Sequence, residues 1–462
     1  MKRFAVLLML LLAASSLTFS QSQDVEAVIS KTEAGKVLAK FMQAYNSGNV
    51  NIIRRFFLEH DPNQGPGERN SSVEQRVSFL AMVYKDLGKL NLRKIELSTE
   101  YEITVLCQAE ITEGWSRIPL KIGKEASHPL LTVGFLNAKR PAENLPRGPK
   151  LSAAEIVKRF DSYMNKVSAA DKFAGVVLVA RKGKVIFKKA YGMASNSNAP
   201  NRIDTKFDLA SMNKMFTSVA VAQLAQQGNL SFNDSISKFF PDFPNKHAAE
   251  KITIHHLLTH TSGLADYFDK KEYHSAKRAA GGRLKSPQDY FPFFAGDPLN
   301  FEPGEKWEYS NAGFNVLGAI IEKASGQSYS DYVTKHILRP LGMNNTDPNN
   351  GSSAGGALST VDDLLKFDAA LRKYKLLNKK YTDIITTAKV NSTLETRRYA
   401  YGFVTKTING KRIVGHGGET VGISTDFNAY LDHGYTVIVL SNYDPPSAAN
   451  ISGKLEELIV QE

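Results

Sequence analysis

A serine and a lysine three residues apart form the first pair that could do chemistry. Ser211-Met-Asn-Lys214 fits the pattern S-x-x-K, and apolar residues recur after it at helical spacing until Gly228. At positions i and i+3 of a helix, a hydroxyl and an amine share one face and can meet. A serine hydroxyl becomes a strong nucleophile only when a base removes its proton, and lysine can do so where its surroundings lower its pKa. The pair predicts Ser211 as a nucleophile with Lys214 as its proton partner.

The tetrapeptide alone is weak evidence, because the chain contains a second copy. Ser235-Ile-Ser-Lys238 lies in a polar stretch and is interpreted as surface. The first copy is distinguished by a later companion, Tyr309-Ser-Asn311. There the phenol could act as or assist the general base, and the amide could hold the substrate backbone. A similar triplet, Tyr163-Met-Asn165, falls in an amphipathic helical pattern and is interpreted as scaffold.

A second companion, His416-Gly417-Gly418, follows the predicted strand Ile413-Val414 and precedes an apparent return strand. Two glycines directly after a polar residue let a substrate approach the backbone closely. The backbone N–H of Glu419, together with that of Ser211, could complete an oxyanion hole. The predicted site therefore combines a nucleophile, two proton carriers and a backbone surface for the substrate.

These motifs follow one another in a characteristic order and spacing. Ser211 precedes Tyr309 by 98 residues, and Tyr309 precedes His416 by 107. With this order the chain from residue 151 onward resembles the serine β-lactamase-related family, which includes class C β-lactamases, D-Ala-D-Ala carboxypeptidases, D-amino-acid amidases and family VIII-like carboxylesterases. Further segments are similar to sequences of that family: Thr253–Leu264, Asn311–Gly318, Leu338–Met343 and Gly355–Asp363.

The resemblance implies an α+β fold of the β-lactamase/transpeptidase type, with an antiparallel sheet flanked by helices and an all-helical region. It makes Ser211 the acylated nucleophile, Lys214 its proton partner, and Tyr309 the base that activates the serine and later the deacylating water. Asn311 would hold the substrate amide. His416 stands where the family usually has the lysine of K-T-G. Histidine is largely neutral above about pH 6.5, so this departure favours an esterase or amidase over an efficient β-lactamase.

The expected substrate is a small ester, an amide or a peptidoglycan-like peptide, with no cofactor and no metal. Two alternatives stay open at this point, a β-lactamase proper and a non-catalytic receptor that keeps the fold.

Two other motifs in the sequence are not interpreted as catalytic or metal sites. Gly351-Ser-Ser353-Ala-Gly355 follows a loop and not the strand that a nucleophile elbow needs. His256 and His260 have the spacing of a zinc helix, but Leu257 replaces the glutamate of that pattern.

Composition breaks divide the chain into segments. Residues 1–20 carry Lys2 and Arg3, an apolar run and small residues before Gln21, the layout of a secretory signal peptide. Residues 21–137 predict a small α+β domain with a loose similarity to nuclear-transport-factor-2-like domains. The proline-rich stretch 138–150 is interpreted as a linker, and residues 151–462 as the hydrolase domain. The protein is therefore predicted to be secreted or periplasmic, without a transmembrane segment after signal removal.

Charge and cysteine content narrow the function classes. The net charge is +12, or +10 once Lys2 and Arg3 are removed, and the basic residues are scattered and not clustered. This distribution suits an anionic surface or substrate and argues against nucleic-acid binding. Cys107 is the only cysteine, so no disulfide can form within the chain. It lies on the apolar side of an alternating run and is predicted to be buried in a strand. The oligomeric state is left open.

Overall fold

The structure is a computed structural model that describes residues 29, 31–60, 69–138, 151–194, 199–392 and 397–460. The predicted signal peptide and nearly all of the predicted linker lie outside these residues. The chain divides into two compact units, residues 1–147 and 148–462. No helix in the described ranges is both long and apolar enough to cross a membrane.

The first unit places three helices before an antiparallel sheet. The helices are α1 (Glu33–Asn46), α2 (Val50–Glu59) and α3 (Arg69–Leu87), and the strands are β1 (Leu90–Ser98), β2 (Glu102–Ala109), β3 (Trp115–Ile122), β4 (Leu130–Val133) and β5 (Leu136–Ala138). The strands β1 to β4 pair in sequence order, and β5 also pairs with β3. Cys107 is buried in β2, where burial raises the pKa of its thiol to about 12. Gly134 and Phe135 separate β4 from β5 and belong to neither strand.

The second unit is built on an eight-stranded antiparallel sheet, whose strands come from the beginning and from the end of that unit's sequence. From one edge to the other its order is β10 (Val390–Asn391), β11 (Arg398–Tyr399), β12 (Val404–Ile408), β13 (Lys411–Thr420), β14 (Ile423–Tyr430), β15 (Tyr435–Ser441), β6 (Gly175–Arg181) and β7 (Lys184–Tyr191). The early strand β6 pairs with the late strand β15, with Leu178 opposite Ile438. Both strands are almost wholly apolar and buried, as expected for the centre of a sheet covered on two faces.

Helices cover both faces of this sheet. On one face lie α4 (Ala153–Ala169), which begins with the predicted capping box of Ser152 and Glu155, and α14 (Ser447–Ile459). The other face packs against the region between β7 and β10, whose two short strands are β8 (Phe207–Asp208) and β9 (Leu358–Ser359). The helices of that region are α5 (Lys214–Gln226), α6 (Lys246–Lys251), α7 (Ile254–Thr259), α8 (Lys271–Ala279), α9 (Asn311–Ser325), α10 (Tyr329–Val333), α11 (Arg339–Leu341), α12 (Val361–Arg372) and α13 (Lys379–Thr386). This arrangement is the predicted α+β architecture of a sheet flanked by helices.

The His416-Gly417-Gly418 motif lies inside a strand and not between two strands. The prediction ended the strand near Val414, but β13 continues through His416-Gly-Gly418 to Thr420. The reason is its partner β14, which pairs with it over this whole length, with His416 opposite Phe427 and Gly418 opposite Thr425. Because β12 pairs only with Lys411–Gly415, the other edge of β13 has no neighbouring strand from His416 onward among the described residues.

Candidate active site

Ser211 lies on a single 3-10 turn, Ala210–Asn213, that leads directly into α5. Ala210, just before it, has a φ of 43°, a left-handed conformation that is uncommon for residues other than glycine. Two neighbouring groups hold Ala210 in this conformation. The side-chain oxygen Asp208 Oδ1 accepts from the Ala210 N–H at 2.7 Å, and the Gly356 N–H donates to the Ala210 carbonyl at 3.1 Å. Conformations of this kind persist where neighbouring contacts over-determine them, which is common around active sites.

Lys214 lies one turn after Ser211 and is completely buried. Its Nζ is 3.1 Å from Ser211 Oγ, 2.8 Å from Asn311 Oδ1 and 2.5 Å from the carbonyl oxygen of Ala354. Burial disfavours the charged amine and lowers the pKa of Lys214 to about 7, although the Asp266 carboxylate acts in the opposite direction. An amine with such a pKa can accept a proton at neutral pH, which an ordinary lysine cannot.

Asn311, the first residue of α9, is held from two sides. Its Oδ1 accepts from Lys214, and its Nδ2 donates to Asp266 Oδ2 at 2.9 Å. The same carboxylate oxygen accepts from the Asn311 backbone N–H at 3.0 Å. The amide therefore makes its hydrogen bonds within the protein, with one N–H still available for a substrate carbonyl. Sequence reasoning did not single out Asp266, because it belongs to no motif and reaches Asn311 only through the fold.

Tyr309 lies next to the amine, with its ring centroid 4.8 Å from Lys214 Nζ. Its hydroxyl is buried beside Ser211 and makes no hydrogen bond of regular geometry with the described residues. Burial raises the pKa of this phenol, while the neighbouring Ser211 hydroxyl lowers it to a smaller extent. The phenol is thus protonated at neutral pH. In this form it can donate a proton or a hydrogen bond to a neighbouring group.

His260 forms the wall behind Tyr309. The centroids of the His260 and Tyr309 rings are 4.2 Å apart. His260 Nδ1 accepts from the Ser310 backbone N–H at 3.2 Å. Burial holds the pKa of His260 well below its usual value, so the ring is neutral. His256, the other histidine of the zinc-like spacing, accepts at Nδ1 from the Thr253 N–H at the start of α7. No described group of three or more histidine, cysteine or acidic side chains is placed to hold a metal ion.

His416 is fixed in a neutral form. Its Nδ1 is 2.5 Å from the carbonyl oxygen of Gly417, which can only accept, so Nδ1 carries the proton. Its Nε2 then accepts from the Tyr399 hydroxyl at 2.9 Å. Burial and the charge of Lys214 lower the pKa of His416 to about 3. His416 therefore supplies no positive charge at neutral pH, at the position where the resemblance leads one to expect a lysine.

The glycines of β13 set the distance between this strand and the Ser211 turn. A Cβ on Gly418 would lie 2.0 Å from the carbonyl oxygen of Leu209, two residues before the nucleophile. Thr425 Oγ1, on β14, donates to the same carbonyl at 3.1 Å. The missing side chain of Gly418 thus lets the strand touch the turn. Glu419 is exposed just beyond it, and Gly417 is half-buried.

We expect Gly418→Ala to lower the free energy of unfolding by about 3 kcal/mol, because a side-chain atom pressed against a backbone carbonyl forces the strand and the turn apart. Urea unfolding followed by circular dichroism measures this loss. Gly417→Ala is the matched control, since its Cβ would have no atom closer than 3.3 Å. Equal losses in the two variants would contradict the role given to Gly418.

The other candidate motifs lie away from this cluster. Ser235 Oγ is paired with Ser237 Oγ, and Lys238 binds Asp234 on the surface. Tyr163 lies on the buried face of α4 and packs in the core. Ser353 is fully buried and donates to Asn315 Oδ1 at 3.2 Å, so its hydroxyl is no exposed nucleophile. Between residues 265 and 300 most aromatic rings pack into the core.

Comparison with known proteins identifies the family of this chain. A family model described as Beta-lactamase matches residues 160–461. The chain belongs to the Beta-lactamase family. It is 30% identical over 334 residues to penicillin-binding protein 4* of Bacillus subtilis, a match that covers 62% of this chain and 71% of that protein. It is 34% identical over 208 residues to esterase EstB of Burkholderia gladioli, which covers 43% of this chain and 53% of the esterase.

Solved structures support the same assignment for the fold. A crystal structure of a D-stereospecific amidohydrolase from Streptomyces sp. superimposes with a TM-score of 0.55 at 25% identity, over 66% of this chain and 98% of that one. The predicted Beta-lactamase family membership and the β-lactamase/transpeptidase-like fold are confirmed. The similarity of residues 21–137 to nuclear-transport-factor-2-like domains stays a prediction.

Proposed function

We propose that this Beta-lactamase family member is an exported serine hydrolase that cleaves esters or D-amino-acyl amides through an acyl-enzyme on Ser211. The observation that carries the proposal is the buried amine of Lys214, 3.1 Å from Ser211 Oγ and with a pKa of about 7. A buried base of this pKa beside a hydroxyl is the arrangement that activates a serine at neutral pH. Export rests on the sequence of residues 1–20.

In the proposed reaction, neutral Lys214 takes the proton of Ser211 as Oγ attacks the substrate carbonyl carbon. The backbone N–H groups of Ser211 and Glu419 stabilise the negative oxygen that develops. When the bond to the leaving group breaks, Tyr309 donates its proton to the departing alcohol or amine and regains one from Lys214. Water then attacks the acyl ester by the same relay, which releases the acid and returns the proton to Ser211.

The neutral state of His416 favours substrates that place no carboxylate next to this residue. A β-lactam or a D-Ala-D-Ala peptide presents a carboxylate, for which a lysine would be a suitable counter-ion, whereas a simple ester or an amide does not need one. Two relatives bear names that fit this choice, an esterase and a D-stereospecific amidohydrolase. A β-lactamase proper is thus the second candidate, and a receptor without turnover the third.

The test combines covalent labelling with a small substrate panel. We expect the purified protein to take up one fluorophosphonate per chain, located on Ser211 by peptide mass spectrometry, and to hydrolyse p-nitrophenyl acetate or a D-amino-acyl p-nitroanilide faster than nitrocefin. Faster turnover of nitrocefin would favour the β-lactamase. The absence of both an adduct and turnover would support the receptor and overturn the proposal.

A further inference from the structure

The Asp266 carboxylate is saturated with hydrogen bonds that all come from neutral N–H groups. Its Oδ1 accepts from the backbone N–H of Tyr267 at 2.7 Å and of Phe268 at 3.3 Å. Its Oδ2 accepts from both the backbone and the side chain of Asn311. The two backbone bonds of its own segment fix the carboxylate, so the Asn311 amide has a rigid acceptor to bind.

This acceptor decides which way the Asn311 amide faces. With Nδ2 on Asp266, the carbonyl oxygen Oδ1 points at Lys214 Nζ, 2.8 Å away. The opposite orientation would place an NH₂ group against the amine of Lys214 and the amide oxygen against the carboxylate. Both of these contacts are repulsive, so the orientation follows from the donor and acceptor chemistry.

The orientation of Asn311 in turn decides where the lone pair of Lys214 points. The amine has three partners, of which the carbonyl oxygens of Asn311 and Ala354 can only accept. A neutral amine has two protons, and these two acceptors take both. The lone pair is left facing Ser211 Oγ, the one partner that can donate a proton. Without the Asn311 carbonyl, the neutral amine could turn one N–H toward Ser211 and would no longer be a base for it.

We infer that Asp266 is a positioning residue that acts through Asn311 to aim the lone pair of Lys214 at the Ser211 hydroxyl. The inference rests on the proposed serine hydrolase function and extends it to a residue outside the three motifs. Asp266 touches neither the nucleophile nor the reacting carbonyl, so it is not itself a catalytic residue.

Asp266 also sets the pH range in which the base works. The ionisable groups facing Lys214 are Tyr309, His260, His416 and Asp266. The pKa of Tyr309 is raised and the pKa values of both histidines are lowered, so these three groups are neutral around pH 7. Asp266 is the group that raises the pKa of Lys214 against the effect of burial. Removing its charge lowers that pKa, so the neutral amine persists to lower pH.

The experiment compares pH profiles of kcat/KM for p-nitrophenyl acetate in the wild type, Asp266→Asn and Asp269→Asn. The wild-type rate should fall below about pH 7, because protonated Lys214 cannot accept the serine proton. For Asp266→Asn we expect a plateau lower by on the order of tenfold, since the amide of Asn311 is no longer oriented, and an acid limb displaced by about 1 pH unit to lower pH. The exposed Asp269 lies in the same segment, and its variant should reproduce the wild-type profile.

An Asp266→Asn profile that superimposes on the wild type would overturn the inference, as would a lower plateau with an unmoved acid limb. Circular dichroism establishes that each variant is folded. If Asp266→Asn does not fold, Asp266→Glu supplies the answer: it keeps the charge and displaces the carboxylate, so the plateau should fall while the acid limb stays in place. An unchanged plateau in that variant would contradict the positioning role. Wild-type turnover and the Ser211 adduct are measured first, because their absence rejects the hydrolase proposal and not the role of Asp266.

Discussion

Ser211→Ala is expected to lower kcat/KM for p-nitrophenyl acetate by on the order of 10⁴-fold or more and to abolish labelling by fluorophosphonate. The substitution removes the single oxygen that would carry the acyl group. The Lys214 amine keeps its bonds to Asn311 and Ala354, so the rest of the site has no reason to rearrange. Alanine is also well tolerated where a helix begins. The loss should therefore appear as lost activity with unchanged thermal stability.

The chain supplies its own control for this result. Ser235→Ala alters the other S-x-x-K copy, whose half-buried hydroxyl is paired with Ser237 Oγ. We expect activity and labelling within about twofold of the wild type, as is usual for substitutions away from the active site and from special structural features. If Ser211→Ala keeps a substantial fraction of the activity, or if Ser235→Ala loses it, the nucleophile has been assigned to the wrong serine.

Lys214→Met is expected to lower kcat/KM by on the order of 10²- to 10⁴-fold, the usual contribution of a general base. Methionine approximates the length of the lysine stem and fills irregular apolar space, so it can occupy the same buried channel. It provides no lone pair for the Ser211 proton and no donor for Asn311 Oδ1. The acid limb near pH 7 should disappear together with the titrating amine. Ester hydrolysis followed across pH 5 to pH 9 measures both effects.

The matched variant is Lys238→Met, in the second S-x-x-K copy. That amine is 53% exposed and bound to Asp234, so its loss should leave the pH profile as it is in the wild type. Retention of more than about a tenth of the activity by Lys214→Met, with the acid limb intact, would move the role of base to another group. Tyr309 would be the next candidate, since its phenol lies beside the same amine.

The parts of the site that the sequence predicted are those marked by short-range spacing. Ser211 and Lys214 are three residues apart, and helical geometry alone brings them together. The order of the three motifs then identified the family, and with it the sheet and the helical region. The alternation of apolar and polar residues along β2 also predicted that Cys107 is buried.

The parts that sequence reasoning missed depend on contacts between distant segments. Asp266 meets Asn311 across 45 residues of the sequence, and Tyr399 on β11 meets His416 on β13 across 17. No local periodicity marks such residues, because their roles come from tertiary packing. The extent of β13 was missed for a related reason: three glycines in a short stretch weaken a strand pattern, while pairing with β14 maintains the strand.

The pairing of β6 with β15 has a consequence for how the protein is made. Residues 175–181 leave the ribosome long before residues 435–441, yet each strand is the other's neighbour in the sheet. Closing a loop of this length costs chain entropy before the contacts between the two strands can form and offset that cost. Folding of this unit is therefore expected to be slow and to be completed only after its last strands have been synthesised. Until then the apolar strands of the emerging chain stay uncovered, and such surfaces are prone to aggregate. The carbonyl of Leu209 acquires its bond from Thr425 only at this late stage, so the nascent chain carries the nucleophile well before it has an assembled active site.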